Sequence, residues 1–184
     1  QARDLVAAGA ARVVVIGGDG TVRHAAAGLT GAPVPLAVVP TGTANLLARN
    51  LGIRPGARAR AAALSSALTS TRTRPLDLGL ARLVVPGPDG APAEVNDVFL
   101  VVAGIGHDAA TVAGTDTARK HRGSWIAYFR SGAAHLLDAP LPMRVRLDGA
   151  RPEDLRTWTV LCGNLGRIPG GIPVFPDARG DDGL

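Results

Sequence analysis

One cysteine, one methionine, one tyrosine and only 3% aromatic residues stand among the 184 positions of this chain. A single cysteine, Cys162, cannot close an internal disulfide, and its place in the apolar run TVLCGNLG reads as a buried thiol rather than a nucleophile. No stretch reaches the roughly 18 unbroken apolar residues of a membrane span. The opening residues QARDLVAAGAARVVV carry neither a charged leader nor a cleavage pattern. These absences make the cytoplasm the expected compartment. Lysine is also scarce, since Lys120 is the only one among the 20 Lys+Arg residues. The net charge of +5 and a pI near 10.9 suit an anionic partner, such as a phosphorylated substrate or an acidic membrane surface. The charge is scattered, however, with no tight basic block and no interleaved aromatics, which argues against a dedicated reader of nucleic acid. The four histidines, His24, His107, His121 and His135, lack metal-ligand spacing with cysteines or acids, so no zinc site is read.

What is present is a globular composition, 46% hydrophobic with a mean hydropathy of +0.18, enough for one good core or two small ones. From Gln1 to about Leu78, apolar runs alternate with alanine-rich segments. The pattern predicts a helix to Gly9, a strand from Val13 to Ile16, a helix from Val22, a strand from Leu36, and helices from Thr43 and Ala57. That alternation is the mark of an α/β layer with a mostly parallel sheet. After the turn cluster PGPDG the chain becomes strand-rich in DVFLVVAGIG, MRVRLDG and RTWTVLCGN, around a helical stretch from about Asp116 to Leu137. A domain boundary is therefore expected near Gly79, with an α/β domain over residues 1–79 and a strand-rich domain over 80–184.

The most informative segment is RVVVIGGDGTVRHAAAGL, from Arg12 to Leu29. A strand that breaks into glycines and then into a helix presents backbone N–H groups and the positive end of a helix dipole at the mouth of a sheet, where phosphates bind. The third glycine of a dinucleotide fingerprint is missing, and no Gly-Lys-Ser/Thr follows as in a P-loop. A bare carboxylate at Asp19 would repel a phosphate. It makes sense where a cation lies between the two, or where a hydroxyl attacking a phosphoryl group must be oriented or deprotonated. A carboxylate inside a phosphate loop suggests a kinase.

GGDGT followed by VVPTGTANLLARNLGI, PLDLG, VAGIGHDAATV, KHRGSWIAY and GNLGRIPGGIPVFPDARGDDGL resembles the catalytic domain of the diacylglycerol kinase and sphingosine kinase superfamily, in particular its soluble bacterial lipid kinases. The GGDGT element alone is shared with NAD kinases and, in a close form, phosphofructokinases; the ordered set covers nearly the entire chain. The resemblance implies a parallel α/β domain followed by a strand-rich, β-sandwich-like domain, in the manner of NAD kinases and diacylglycerol kinases. It also implies an ATP- and Mg2+-dependent transfer of the γ-phosphate to a lipid hydroxyl such as that of diacylglycerol. The partners implied are ATP, a lipid and peripheral contact with the anionic inner membrane face; a homodimer is compatible with this reading, and nucleic acid has no place in it. An NAD or polyol kinase of the same superfold, and a noncatalytic nucleotide-binding module, are the alternatives.

Carried onto this chain, the resemblance puts Gly17, Gly18, Asp19, Gly20, Thr21, Val22 and Arg23 in the first nucleotide loop and Gly42, Thr43 and Asn45 in the second. Thr41 and Thr43 also suit helix capping before ANLLARN. Asp182 matches the family's proposed general base, with Asp181 beside it, although Asp-Asp-Gly is equally an ordinary turn signal. Asp108 matches an aspartate near the lipid head group or caps a helix. Asp138 falls where related enzymes hold magnesium, or ends a helix as a solvated cap. Lys120 reads as a phosphate contact or as plain surface. The commonest family form has an acidic residue after the asparagine; here Leu46 replaces it, which leaves the acceptor open without touching the ATP loop. The chain begins inside a helix, without the first strand and Asn-Pro-type loop of the family, and ends where returning strands should follow. It is therefore expected to be a fragment or a truncated homologue, inactive by itself.

Overall fold

Val13, Val15 and Gly17 alternate inward along β1 (Val13–Gly17), so the first strand buries one face. A computed structural model of the chain describes residues 1–54, 56–86, 89–107, 139–168 and 171–183. β1 runs parallel to β2 (Leu36–Pro40), with Val13 opposite Leu36 and Gly17 opposite Pro40. The two strands therefore end at the same level, and the loops after them emerge side by side. α1 (Ala2–Ala7) packs on α2 (Asp19–Leu29), and α2 packs on β1. The short α3 (Leu46–Asn50) and α4 (Ala57–Thr69) lie against β2. Val13, Val15, Val22, Leu29, Leu47, Leu100 and Val101 form the buried cluster. Arg12 donates to the carbonyls of Ala67 and Ser70, which satisfies the C-terminal end of α4 and ties it to the start of β1.

Next come the antiparallel hairpin β3 (Gly79–Pro86) and β4 (Pro92–Phe99), then β5 (Val102–Gly106), β6 (Leu141–Val145), β7 (Glu153–Thr157) and β8 (Thr159–Gly163). β5 pairs with β8, and β6 pairs antiparallel with β7, where Arg144 and Asp154 sit opposite each other and form an ion pair. The chain divides into two compact units, residues 1–102 with 163–184, and residues 103–162. Within the first unit, β4 is held to α2 through the Arg23–Asp97 ion pair, and the segment after β8 is bonded back to Asn50, Asp77 and Leu100.

Three local expectations change. α2 starts at Asp19, three residues before Val22, because Gly18 is extended and serves as its N-cap. The TAN of TANLLARN is a turn rather than helix: Asn45 adopts a left-handed conformation, φ 46°, and α3 begins only at Leu46. Cys162, read as buried, is exposed, because it occupies an outward position of β8. The helical stretch expected over 116–137 lies outside the described residues, as do Asp108, Lys120, His121, His135 and Asp138. No helix among the described residues is long and apolar enough to cross a membrane.

Candidate active site

The register of β1 and β2 brings the two glycine loops into backbone contact. A Cβ placed on Gly42 would lie 2.5 Å from the Cα of Gly18, and one on Gly18 would lie 3.1 Å from the Cα of Gly42. Gly42 has no room for a side chain, and at Gly18 the neighbouring backbone would have to give by a few tenths of an ångström. The Thr41 N–H donates to the Gly17 carbonyl at 3.0 Å, which continues the parallel pairing one residue past the strands. Gly17 is crowded from the other side by Thr21, whose Cβ would be 2.7 Å from an added methyl. At Gly20, by contrast, an added Cβ would meet nothing within 4 Å. That face of the first turn of α2 is open to whatever approaches it.

Asp19 does two things at once. It is the first residue of α2, and its Oδ1 accepts the Leu47 N–H at 3.2 Å. This bond satisfies an N–H at the start of α3 that has no partner within the helix. Asn45 completes the second loop by closing on it: the Gly42 N–H donates to Asn45 Oδ1 at 2.8 Å, and Asn45 Nδ2 donates back to the Gly42 carbonyl. Thr43 projects from this turn, exposed, and the N-cap of α3 is Asn45 rather than either threonine. Asn45 is therefore a loop-shaping residue, with both ends of its amide engaged.

The remaining first-loop residues divide. No side chain caps α2, so the N–H groups of its first turn remain available to an anion. Val22 is 2% exposed, and its N–H donates to the Gly18 carbonyl at 3.0 Å, which places its side chain in the core. Arg23, expected at the nucleotide, pairs with Asp97 and donates to the Val98 carbonyl at 3.5 Å. The Arg23 guanidinium, and after it the Val98 N–H, hold the Asp97 carboxyl below the usual carboxylate range.

The far carboxylates are also distinct from each other. Asp181 is engaged by Arg179 at 3.3 Å, whereas Asp182 is exposed and has no hydrogen-bond or ion-pair partner among the described residues. No hydrogen bond joins Asp182 to Asp19. The turn that carries Asp182 is held by Asp77 of PLDLG, whose N–H donates to the Gly180 carbonyl at 2.7 Å and whose Oδ2 accepts the Gly183 N–H at 2.8 Å. The sequence signals this role of Asp77 only by an aspartate held between apolar neighbours in PLDLG.

The two loops offer open N–H donors, closely packed glycines and the exposed Thr43 hydroxyl. For magnesium the fit is sparser. No cluster of three His, Cys, Asp or Glu occurs among the described residues. Magnesium commonly takes one or two carboxylates and completes its shell with waters and substrate phosphates, and the Asp19 carboxylate can supply one ligand. A cleft of about 1270 Å³ between β2, α3 and α4 shares only Val38 and Leu47 with the crevice lined by the glycine loops.

Against known proteins, the family described as diacylglycerol kinase catalytic domain matches residues 1–81. A diacylglycerol kinase of Mycobacterium tuberculosis H37Rv is 32% identical over 188 residues, covering 100% of this chain and 57% of that protein. A protein of Pseudomonas aeruginosa PAO1, described as a candidate YegS-like lipid kinase, is 33% identical and covers 98% of this chain and 55% of its own length. The crystal structure of a candidate diacylglycerol kinase from Bacillus anthracis strain Sterne superposes with a TM-score of 0.67 at 29% identity, covering 98% of this chain and 56% of that one. The chain thus spans a little over half the length of these relatives. Residues 1–81 thus match the family described as diacylglycerol kinase catalytic domain, and the whole chain is similar in sequence to bacterial proteins described as diacylglycerol kinases and lipid kinases.

Proposed function

We propose that this chain forms the nucleotide-binding and catalytic part of an ATP-dependent lipid kinase that phosphorylates the hydroxyl of a lipid such as diacylglycerol. The observation that carries the proposal is the junction of the two glycine loops, where Gly18 meets Gly42 and the Asp19 carboxylate fastens the start of α3 beside the start of α2. Bound ATP would supply the transferable γ-phosphoryl group, with magnesium neutralising its charge. The N–H groups of the first turn of α2 and the Thr43 hydroxyl would bind its phosphates, while Asn45 keeps the second loop in shape. Asp19 would use the oxygen not bonded to Leu47 to hold the cation. Asp182 would take the proton of the lipid hydroxyl. Two further roles rest on the family resemblance alone: Asp108 beside the lipid head group and Asp138 as a magnesium ligand. So do peripheral attachment to an anionic membrane face and the arrangement of the chain as a 1–79 nucleotide domain followed by a substrate domain.

The test supplies the protein carrying this chain with γ-labelled ATP, magnesium and diacylglycerol in mixed micelles, with NAD and soluble polyols in parallel. Label in the lipid supports the proposal. Label in NAD or a polyol with none in lipid assigns the chain to a different kinase of the superfold, and ATP binding without any transfer makes it a noncatalytic module.

A further inference from the structure

Among the described residues, Asn164 is the polar side chain buried in the core, at 5% exposed. Its Nδ2 donates to two carbonyls, Leu100 and Asp77, each at 2.9 Å, and its own N–H donates to the Val101 carbonyl at 2.8 Å. Only an amide nitrogen can face two carbonyls, so the donor set fixes which way the side chain points. A leucine at this position would bury more apolar surface and leave both carbonyls without donors. Asn164 therefore joins three strands of connectivity: the segment before β3, the Leu100–Val101 link between β4 and β5, and the segment that returns after β8.

The Asp77 end of this bridge leads to the turn at 180–183. The main chain of Asp77 holds the Gly180 carbonyl and its carboxylate holds the Gly183 N–H, so both ends of the turn around Asp182 are fixed by one residue. Gly180 fits closely over Leu76 and Leu165, whose nearest carbons would be 2.9 and 2.7 Å from an added Cβ. Gly183 has φ +89°, a conformation that L side chains rarely adopt. Asp181 is drawn to Arg179, and the Asp182 carboxylate is left exposed.

We infer that Asn164 is a positioning residue for Asp182, acting through the main chain of Asp77. Resting on the reading of Asp182 as the general base, this inference adds what aims that base. Two carbonyls pinned by one buried amide make a stiff connection, and catalytic groups lose rate steeply when displaced by about an ångström. Apolar burial alone would not orient the turn.

The experiment is a double-mutant cycle on the protein carrying this chain, with kcat corrected for the folded fraction. Asn164→Ala, Asp182→Asn and the pair are assayed for phosphoryl transfer from ATP to diacylglycerol. Asn164→Ala should lower kcat by about tenfold to a hundredfold with the KM for ATP within about twofold, and should cost little more when Asp182 is already Asn. Losses that multiply in the pair overturn the inference and leave Asp182 in place as the base. A nearly unimpaired Asp182→Asn overturns the base itself, and with it the inference. Should Asn164→Ala not accumulate as folded protein, Asn164→Ser carries the same cycle, since a hydroxyl has one proton and can serve only one of the two carbonyls; losses that multiply with those of Asp182→Asn again overturn the inference.

Discussion

The Asp19 carboxylate accepts the Leu47 N–H at 3.2 Å, so the acid in the middle of the glycine loop also fastens the second loop to the first. One oxygen does structural duty and leaves the other for a ligand. Asparagine and alanine at this position separate the two duties.

Asp19→Asn keeps an acceptor for Leu47 and removes the charge. Turnover should fall by on the order of a hundredfold or more, as expected for a group that places a cation or moves a proton, while the melting temperature stays close to that of the parent. Asp19→Ala should lose turnover to the same extent and also about 1–2 kcal/mol of stability through the orphaned N–H of α3. Near-normal turnover in Asp19→Asn would return this residue to a purely structural role.

The glycines of the loops should respond in opposite ways. Gly42→Ala would put a methyl 2.5 Å from Gly18 and force the loops apart. It should cost about 1–3 kcal/mol of stability together with most of the affinity for ATP. Gly20→Ala meets nothing within 4 Å and sits in α2, so the fold should gain up to about 1 kcal/mol. ATP affinity should nevertheless fall, because the added methyl stands on the face left open for the phosphates. Calorimetric titration with ATP and thermal melts on the same samples distinguish these outcomes.

The parts that sequence reading located were those fixed by short-range pattern. β1, β2 and α4 fall where the apolar periodicity and alanine content put them. The start of α2 was missed because glycine usually weakens a helix, whereas here Asp19, Gly20 and Thr21 form its first turn behind an extended Gly18. TAN was read as helix because its left-handed Asn45 is stabilised by a side-chain loop onto Gly42, which carries no periodic signal. The Asp77–Gly183 bond spans 106 residues, and the Asn164–Asp77 bond spans 87; no local pattern announces either.

A pH effect follows from Arg23 and Asp97. The Asp97 carboxyl is held below its usual value, chiefly by Arg23 and next by the Val98 N–H, so the folded state binds its proton less readily than the unfolded chain does. The stabilisation is present above the unfolded carboxylate pKa and is lost as pH falls through the lower folded value. Both side chains are partly exposed, which limits the pair to under about 1 kcal/mol. Denaturant titrations from neutral pH down to about pH 2 should show that Asp97→Asn costs nearly as much at pH 5 as at pH 7 and progressively less as pH falls below about 4. A variant whose acid profile parallels that of the parent would contradict it.

Asp181 and Asp182 should part company in kinetics. Asp182→Asn should lower kcat by about a hundredfold to ten-thousandfold with little change in ATP affinity, as removal of a base from an otherwise intact site does. Asp181→Asn breaks only a contact to the exposed Arg179 and should leave both nearly intact. A larger loss at Asp181 would reverse the assignment, and equal losses would mark the two carboxylates as a coupled pair.

Lipid kinase chemistry is tested most directly by the stoichiometry of transfer: moles of phosphorylated lipid formed per mole of ATP consumed, by the protein carrying this chain, with and without magnesium. One phosphorylated lipid per ATP, dependent on magnesium, is the expected result. ATP consumed with no phosphorylated lipid, or phosphate delivered to NAD instead, would contradict it.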